Sequence, residues 1–290
     1  MLLYGSGGTN IAEKILGDVA APEQVQAKVV ELGLDRPVLV QYGDWLTSAL
    51  TGNLGRSWFS SEPVTAAVLG RLGVTFSFVI VAVILVAVLS VALGAIAAIK
   101  GGKIDKTVQF LSVIGAAIPN FWLGLLLVII FALSLSWLPA TGFVPFSRSP
   151  GEWALSIILP VIALSVGGIA AGAQQIRGGI LRVLNQDYVR TLESRGLPWR
   201  SVMLKHVLRN AAPPALVVIS LQFISMLAGT VTLEKVFGIN GMGMLAVNST
   251  IKGDIPMVMG VMIMMAVIVT VVNLTIDIIN GWINPKARLA

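Results

Sequence analysis

The sequence predicts an all-α integral membrane protein, a polytopic helical bundle with five crossings in this chain, and three observations predict it. Of 290 residues, 56% are apolar and only 12% charged, and the mean hydropathy is +0.88. A soluble domain carries about a quarter charged residues, so this chain lacks the polar surface to clothe a globule in water and suits a bilayer. Five apolar stretches, roughly 73–99, 108–137, 154–176, 210–233 and 257–283, each exceed the ~20 residues that span ~30 Å of hydrocarbon. The basic residues, finally, fall unevenly between the two sets of connecting loops.

Residues 1–72 form an N-terminal extracytoplasmic segment that mixes charge with scattered apolar positions. Within it, 21–32 reads as a short amphipathic helix after Pro22, stopped by Gly33 and by Pro37 beyond it. Residues 73–284 form the transmembrane domain, with a loop at 177–209, and 285–290 form a tail. Pro119 lies inside the second stretch and Pro213-Pro214 open the fourth, positions that packed membrane helices tolerate. Small residues recur at 94–98, 115–117 and 167–173 and allow close helix approach.

With alternating crossings, the loop after the first stretch, the 177–209 loop and the tail share one side. They hold 12 of the 20 basic residues against three acids, Asp105, Asp187 and Glu193. The positive-inside rule makes that side, including the C-terminus, cytoplasmic. The net charge of +6 is therefore an orientation signal against membrane lipid, with no nucleic-acid partner implied. An external N-terminus ahead of five crossings needs something to carry it across, and the chain opens without a signal peptide. A preceding helix missing from the start is the expectation.

The usual chemistry is absent. The chain has no cysteine and one histidine, His206, so no thiol nucleophile, zinc site or other metal site is expected. No P-loop sequence occurs, and 238–243 is glycine-rich without a preceding strand, so it reads as a turn or gate. Asp277 is the one ionisable residue inside the five stretches, open to a structural pairing or a proton relay. An ion-coupled secondary carrier is disfavoured by that scarcity, and a membrane-embedded enzyme by the lack of paired carboxylates or a Ser/His set.

The 177–209 loop carries the most information. Asn185 or Asp187 can cap a short helix ending at Gly196, and a second helix begins near Pro198. Trp199, Val202, Met203 and Val207 then form one apolar stripe beside Arg200, Lys205 and Arg209. Such a helix–Gly–Pro–helix unit is either a rigid knob for another protein or an interfacial hairpin on anionic lipid. Polar residues on the apolar spans, Asn120, Gln174, Gln175, Gln222 and Asn273, are candidates for a substrate path or for interhelical hydrogen bonds.

At this loop the sequence resembles the membrane subunits of dipeptide/oligopeptide ABC importers. Those carry a cytoplasmic "EAA" loop with a glycine six residues after its first position, and Gly196 matches it. Asp187-Tyr188-Val189-Arg190-Thr191, Arg195-Gly196-Leu197, and His206, Arg209, Asn210 and Pro214 match this family's version, while Arg190-Thr191-Leu192 replace the three naming letters. Residues 32–37, 52–57 with Pro63-Val64, 118–122, 138–142, 234–243 with 254–256, and Asn273 and Asp277 with Asn284-Pro285 also look like it, in order. Family members normally carry one more helix before the segment matching Gly17-Asp18.

The resemblance implies a polytopic bundle of the ABC importer permease type in the bacterial inner membrane, importing peptides or, in some branches, glutathione, nickel chelates or haem-like ligands. It implies alternating access with a second homologous permease in a heterodimer, two cytoplasmic ATPases and an extracytoplasmic substrate-binding protein. No cofactor is held by this chain, and ATP and Mg belong to the ATPases. The implied coupling residues are Asp187, Tyr188, Arg190, Thr191, Leu192, Arg195, Gly196, Leu197, His206 and Arg209, with Leu192 in an ATPase cleft. Phe237, Gly241, Gly243 and Asp254 are the implied external gate.

Overall fold

The computed structural model describes residues 8–17 and 19–283; Asp18, Asn284-Pro285 and the tail cations Lys286 and Arg288 lie outside them. The described residues are helical with no strand, apart from an isolated bridge between Arg56 and Pro63. Among the described residues, those up to 73 with 240–267 form one compact unit and 74–239 with 268–283 another.

The first unit begins with α1 (Gly8–Leu16), α2 (Pro22–Glu31) and α3 (Val38–Leu50). α2 takes the expected place of the amphipathic helix, and its valines 25 and 29 are buried against Ala12, with Ala20 and Leu34 around them. Burying a valine side chain is worth ~1.5–3 kcal/mol, enough to hold so short a helix. Its end is closed by Gly33 N donating to Val30 O and Leu34 N to Val29 O, at 3.0 and 2.9 Å. The unit's larger core joins Leu54, Val64, Ala67 and Val68 to Met242, Met257 and Val261. These come from the loop after α3, the start of α4 (Val64–Lys100), α11 (Met242–Lys252) and the start of α12 (Ile255–Ile283).

The second unit contains the rest of α4 and α12. It adds α5 (Gly102–Ala117), α6 (Asn120–Leu127) continued by a π-helical turn at Val128–Ser134, and α7 (Pro150–Leu184). After the loop helices come α10 (Leu208–Val236). Val64–Lys100, Pro150–Leu184, Trp199–Val236 and Ile255–Trp282 are each long and apolar enough to cross a membrane.

The expected second crossing, 108–137, is not one straight helix. α5 and α6 meet at 94°, so the count is five only if this bent pair is one span. The cause is local: proline lacks the N–H a continuing helix needs and pushes its predecessor out of the α region. Ile118 is accordingly extended (φ −82°, ψ 120°), and the helix restarts after Pro119. Pro160, by contrast, is carried inside α7, and Pro213-Pro214 lie within α10 rather than at its start.

Where α4 and α5 meet α7 the contacts are made by small residues. A Cβ placed on Gly94 would lie 2.8 Å from the Ala173 carbonyl oxygen and 3.1 Å from the Arg177 backbone nitrogen. A Cβ on Gly115 would lie 3.1 Å from the Cβ of Ala170. Close backbone approach of this kind is how membrane helices associate where lipid supplies no hydrophobic drive.

Candidate functional site

α7 ends at Leu184, and α8 (Asp187–Ser194) starts after two intervening residues. Neither Asn185 nor Asp187 caps it: the cap position is Gln186, with no side-chain bond, while Asn185 closes α7. Asp187 instead sits in the first turn, where a carboxylate meets the positive end of the helix dipole. At the other end Gly196 adopts φ +74°. Its N–H donates to Glu193 O at 2.9 Å, and Leu197 N–H donates to Leu192 O at 3.3 Å. This is the paired closure that a left-handed glycine permits.

Pro198 is the residue just ahead of the next helix rather than its first residue. A short turn α9 (Trp199–Ser201) leads into a π-helical turn, Val202–Val207, and on into α10. Of the predicted stripe, Val202, Met203 and Val207 are buried. They pack with Val189 of α8, Ile176 and Ile180 of α7, Ala98 of α4 and Ala211 of α10. Trp199, the exception, stays exposed because it opens its helix with no preceding turn to cover it.

This buried cluster holds the loop to the bundle and leaves one side of α8 outside. Asp187, Tyr188, Arg190, Thr191, Arg195, Gly196 and Leu197 are exposed, as is Arg209, and His206 is half-buried. Leu192 is less exposed than these. It is half-buried, packed in part against the chain's own cluster, and its exposed neighbours on α8 are mostly polar. Asn210 braces the arrangement, its side-chain amide donating to the Tyr188 hydroxyl at 3.0 Å and to the His206 carbonyl at 2.9 Å.

The polar candidates on the spans separate into groups. Asn120 and Gln222 line one cavity of about 360 Å³ in the second unit, together with Ser225. Its other walls come from Ile118-Pro119, from Gly167 and Gly168 of α7, and from Met226. The cavity sits at the α5–α6 bend and presents amides and a hydroxyl but no charge. Gln174 and Gln175 are on exposed surface outside it. Asn273 accepts a 2.6 Å hydrogen bond from Ser220 Oγ, an interhelical contact.

The gate candidates also hold structural positions. Phe237 is buried against Gly124, and its carbonyl accepts from Gly142 N–H at 2.8 Å, joining two motifs of the second unit. In the first unit Gly241 caps α11 and Gly243 is buried in its first turn. Asp254 is buried and accepts from Ser57 Oγ at 2.5 Å and Trp58 N–H at 3.2 Å, which fixes the loop ahead of α4.

Two pairs escaped the sequence reading. Arg177 of α7 grips Asp105 of α5 with both Nε and Nη2, a bidentate ion pair. Thr75 Oγ1 donates at 2.7 Å to Glu234, whose side chain is wholly buried. Glu234 lies one residue past the apolar stretch as drawn, so extending that stretch to its motif would have found it. Asp105 had a signal too, being the acid in a turn with three lysines.

The family model for "Binding-protein-dependent transport system inner membrane component" matches residues 90–289. A peptide transport system permease protein of Brucella abortus is 37% identical over 275 residues, 94% of this chain and 88% of that protein. The oligopeptide transport system permease protein of Bacillus subtilis is 34% identical, covering 89% and 83%. The di/tripeptide transport system permease protein of Pseudomonas aeruginosa is 33% identical, covering 95% and 89%. Among solved structures, the inward-facing MetNI methionine ABC transporter aligns with a TM-score of 0.63 at 15% identity, over 77% of this chain and 99% of that one. That likeness reaches the fold alone. The chain belongs to the binding-protein-dependent transport system inner membrane component family, the membrane-embedded permease subunits of ABC importers.

Proposed function

We propose that this permease moves peptides of the dipeptide or oligopeptide class inward across the bacterial inner membrane, driven by ATPases on separate chains. The observation that carries the reading is α8: eight residues that expose a polar face while Val189 is buried beneath it and the Gly196 turn closes it. A helix held this way can transmit force, because its base is packed into the ends of α4, α7 and α10. Asp187, Tyr188, Arg190, Thr191, Arg195, Gly196 and Leu197 form the surface offered to an ATPase, with Arg209 beside it. Leu192, His206 and Asn210 hold that surface in place. ATP and Mg reside on the partner chains.

The same side, with the C-terminus, faces the cytoplasm, supported by the concentration of lysine and arginine there. A second homologous permease completes the path, and a substrate-binding protein delivers the peptide from outside. The cavity at the α5–α6 bend forms this chain's part of that path. Neutral amides and a hydroxyl can meet a peptide backbone without selecting side-chain charge, which suits a route that leaves selection to the binding protein. The peptide class is supported by the named activities of the three relatives above. The test is uptake of a labelled tripeptide by the reconstituted transporter. Uptake is expected to require ATP and binding protein and to stop with vanadate; uptake that instead collapses with the proton gradient refutes the reading.

A further inference from the structure

The path from α8 to the cavity runs through helices whose attachments differ. α5 is joined to α4 by Gly101-Gly102, both at positive φ (+58° and +57°). Two consecutive glycines at positive φ, a conformation that residues with a Cβ rarely adopt, break the helix between α4 and α5. Against α7, α5 is fixed twice. Near the loop end, Asp105 in its first turn receives both arms of the Arg177 guanidinium. Near the bend, Gly115 sits directly on Ala170. A planar, forked guanidinium on a carboxylate sets orientation as well as distance. Both side chains are mostly shielded, with 23% and 16% of their surface exposed, so solvent screens the pair less than a surface one.

Arg177 lies on the last two turns of α7, one uninterrupted helix of about 52 Å at 1.5 Å per residue. Beside Arg177, α7 is also packed on α4 through Gly94. α5 ends at Ala117, and Ile118-Pro119-Asn120 form one wall of the cavity, together with Gly167 and Gly168 of α7 and Gln222 and Ser225 of α10.

We propose that the Arg177–Asp105 pair is a mechanical tie: it makes α5 follow the α8 end of α7, so that movement of α8 during ATP turnover reshapes the cavity at the α5–α6 bend. The pair lies outside the cavity lining and outside α8, and it acts as a positioning element. The inference rests on α8 being the ATPase contact.

The chain has no cysteine, so Ser225→Cys places one thiol of this subunit in the cavity wall. The assembled transporter, with its ATPases and binding protein in lipid nanodiscs, is treated with a membrane-impermeant maleimide with and without ATP-vanadate, and labelling of this subunit is followed. With the native pair, trapping changes the labelling rate by roughly tenfold, within the usual range of allosteric coupling. In Asp105→Asn and Arg177→Gln that change shrinks to less than about twofold while ATP hydrolysis continues. Arg177→Lys keeps charge but loses the fork, and retains an intermediate change. The reversed pair, Asp105→Arg with Arg177→Asp, restores it.

The tie is overturned if Asp105→Asn keeps the full nucleotide response. It is equally overturned if the assembled reversed pair stays unresponsive, or if Arg177→Lys behaves as the native chain. Should single variants fail to assemble, the lysine and reversed-pair variants decide. If labelling with the native pair ignores ATP altogether, the ATPase-driven reading falls and the tie with it. If Gly196→Val removes the response but Asp105→Asn does not, only the tie falls.

Discussion

Replacing Gly196 separates two reasons a glycine could be required in the ATPase-facing knob. A Cβ at this position would meet nothing within 4 Å, while its φ is +74°. The cost of a side chain is therefore conformational and not steric. The left-handed region costs an L-residue ~1–2 kcal/mol, with asparagine tolerated better than most and β-branched residues worst. α8 has eight residues, too few to stand as an isolated helix. It depends on the burial of Val189, worth ~1.5–3 kcal/mol, and on the Tyr188–Asn210 hydrogen bond, worth ~0.5–1.5 kcal/mol. Those anchors together exceed the cost of one alanine, so Gly196→Ala keeps α8 formed in most molecules. Gly196→Val costs more than alanine and erodes more of that margin, and Gly196→Ala combined with Tyr188→Phe narrows it by removing an anchor as well. ATP-driven tripeptide uptake per ATP hydrolysed, measured in proteoliposomes, should fall in the order Gly, Asn, Ala, Val. A ranking with alanine above asparagine would show that size rather than φ governs the site. A valine variant coupled as well as the native chain would refute the argument.

Gly94→Ala should lower the melting temperature of the detergent-purified chain. Its Cβ would press on the backbone of α7, at 2.8 Å from Ala173 O, and overpacking of ~1–3 kcal/mol outweighs a propensity gain of ~0.5–1 kcal/mol. Gly178→Ala, where a Cβ meets nothing, should be neutral or stabilising by the same measurement. Gln222→Leu removes an amide from the cavity wall and should reduce tripeptide uptake severalfold with ATP hydrolysis retained, whereas Gln174→Leu on exposed surface should leave uptake unchanged. Asp254→Ala leaves the Ser57 hydroxyl and Trp58 N–H without their acceptor, at ~1–3 kcal/mol. It should speed limited proteolysis between residues 51 and 63, and Ser57→Ala should do so as well, because Ser57 Oγ donates to Asp254 and also accepts from the Phe59 and Ser60 N–H groups at 3.2 and 3.0 Å.

Features that depend on neighbours in the chain were legible from the residues. The shortage of charge and the long apolar stretches sufficed for a polytopic helical membrane protein, because the length of a crossing is set by the bilayer alone. The glycine stops at Gly33 and Gly196 and the burial of Val202, Met203 and Val207 followed from local conformation and helical period. The 94° bend at Pro119 was legible in principle, yet proline is tolerated inside helices too, as Pro160 and Pro213 show. Whether a proline bends a helix depends on what packs around it, and that information is not local.

The pairings between distant segments were decided by tertiary structure. Asn120 and Gln222 share a cavity while Gln174 does not, although all are amides on apolar spans. Leu192 packs in part against the cluster beneath α8, and Asp105 met Arg177 across 72 residues. Composition and period state which solvent a segment prefers and which face it hides. Which faces then meet is set by the packing of whole helices against one another, and only the folded chain fixes it.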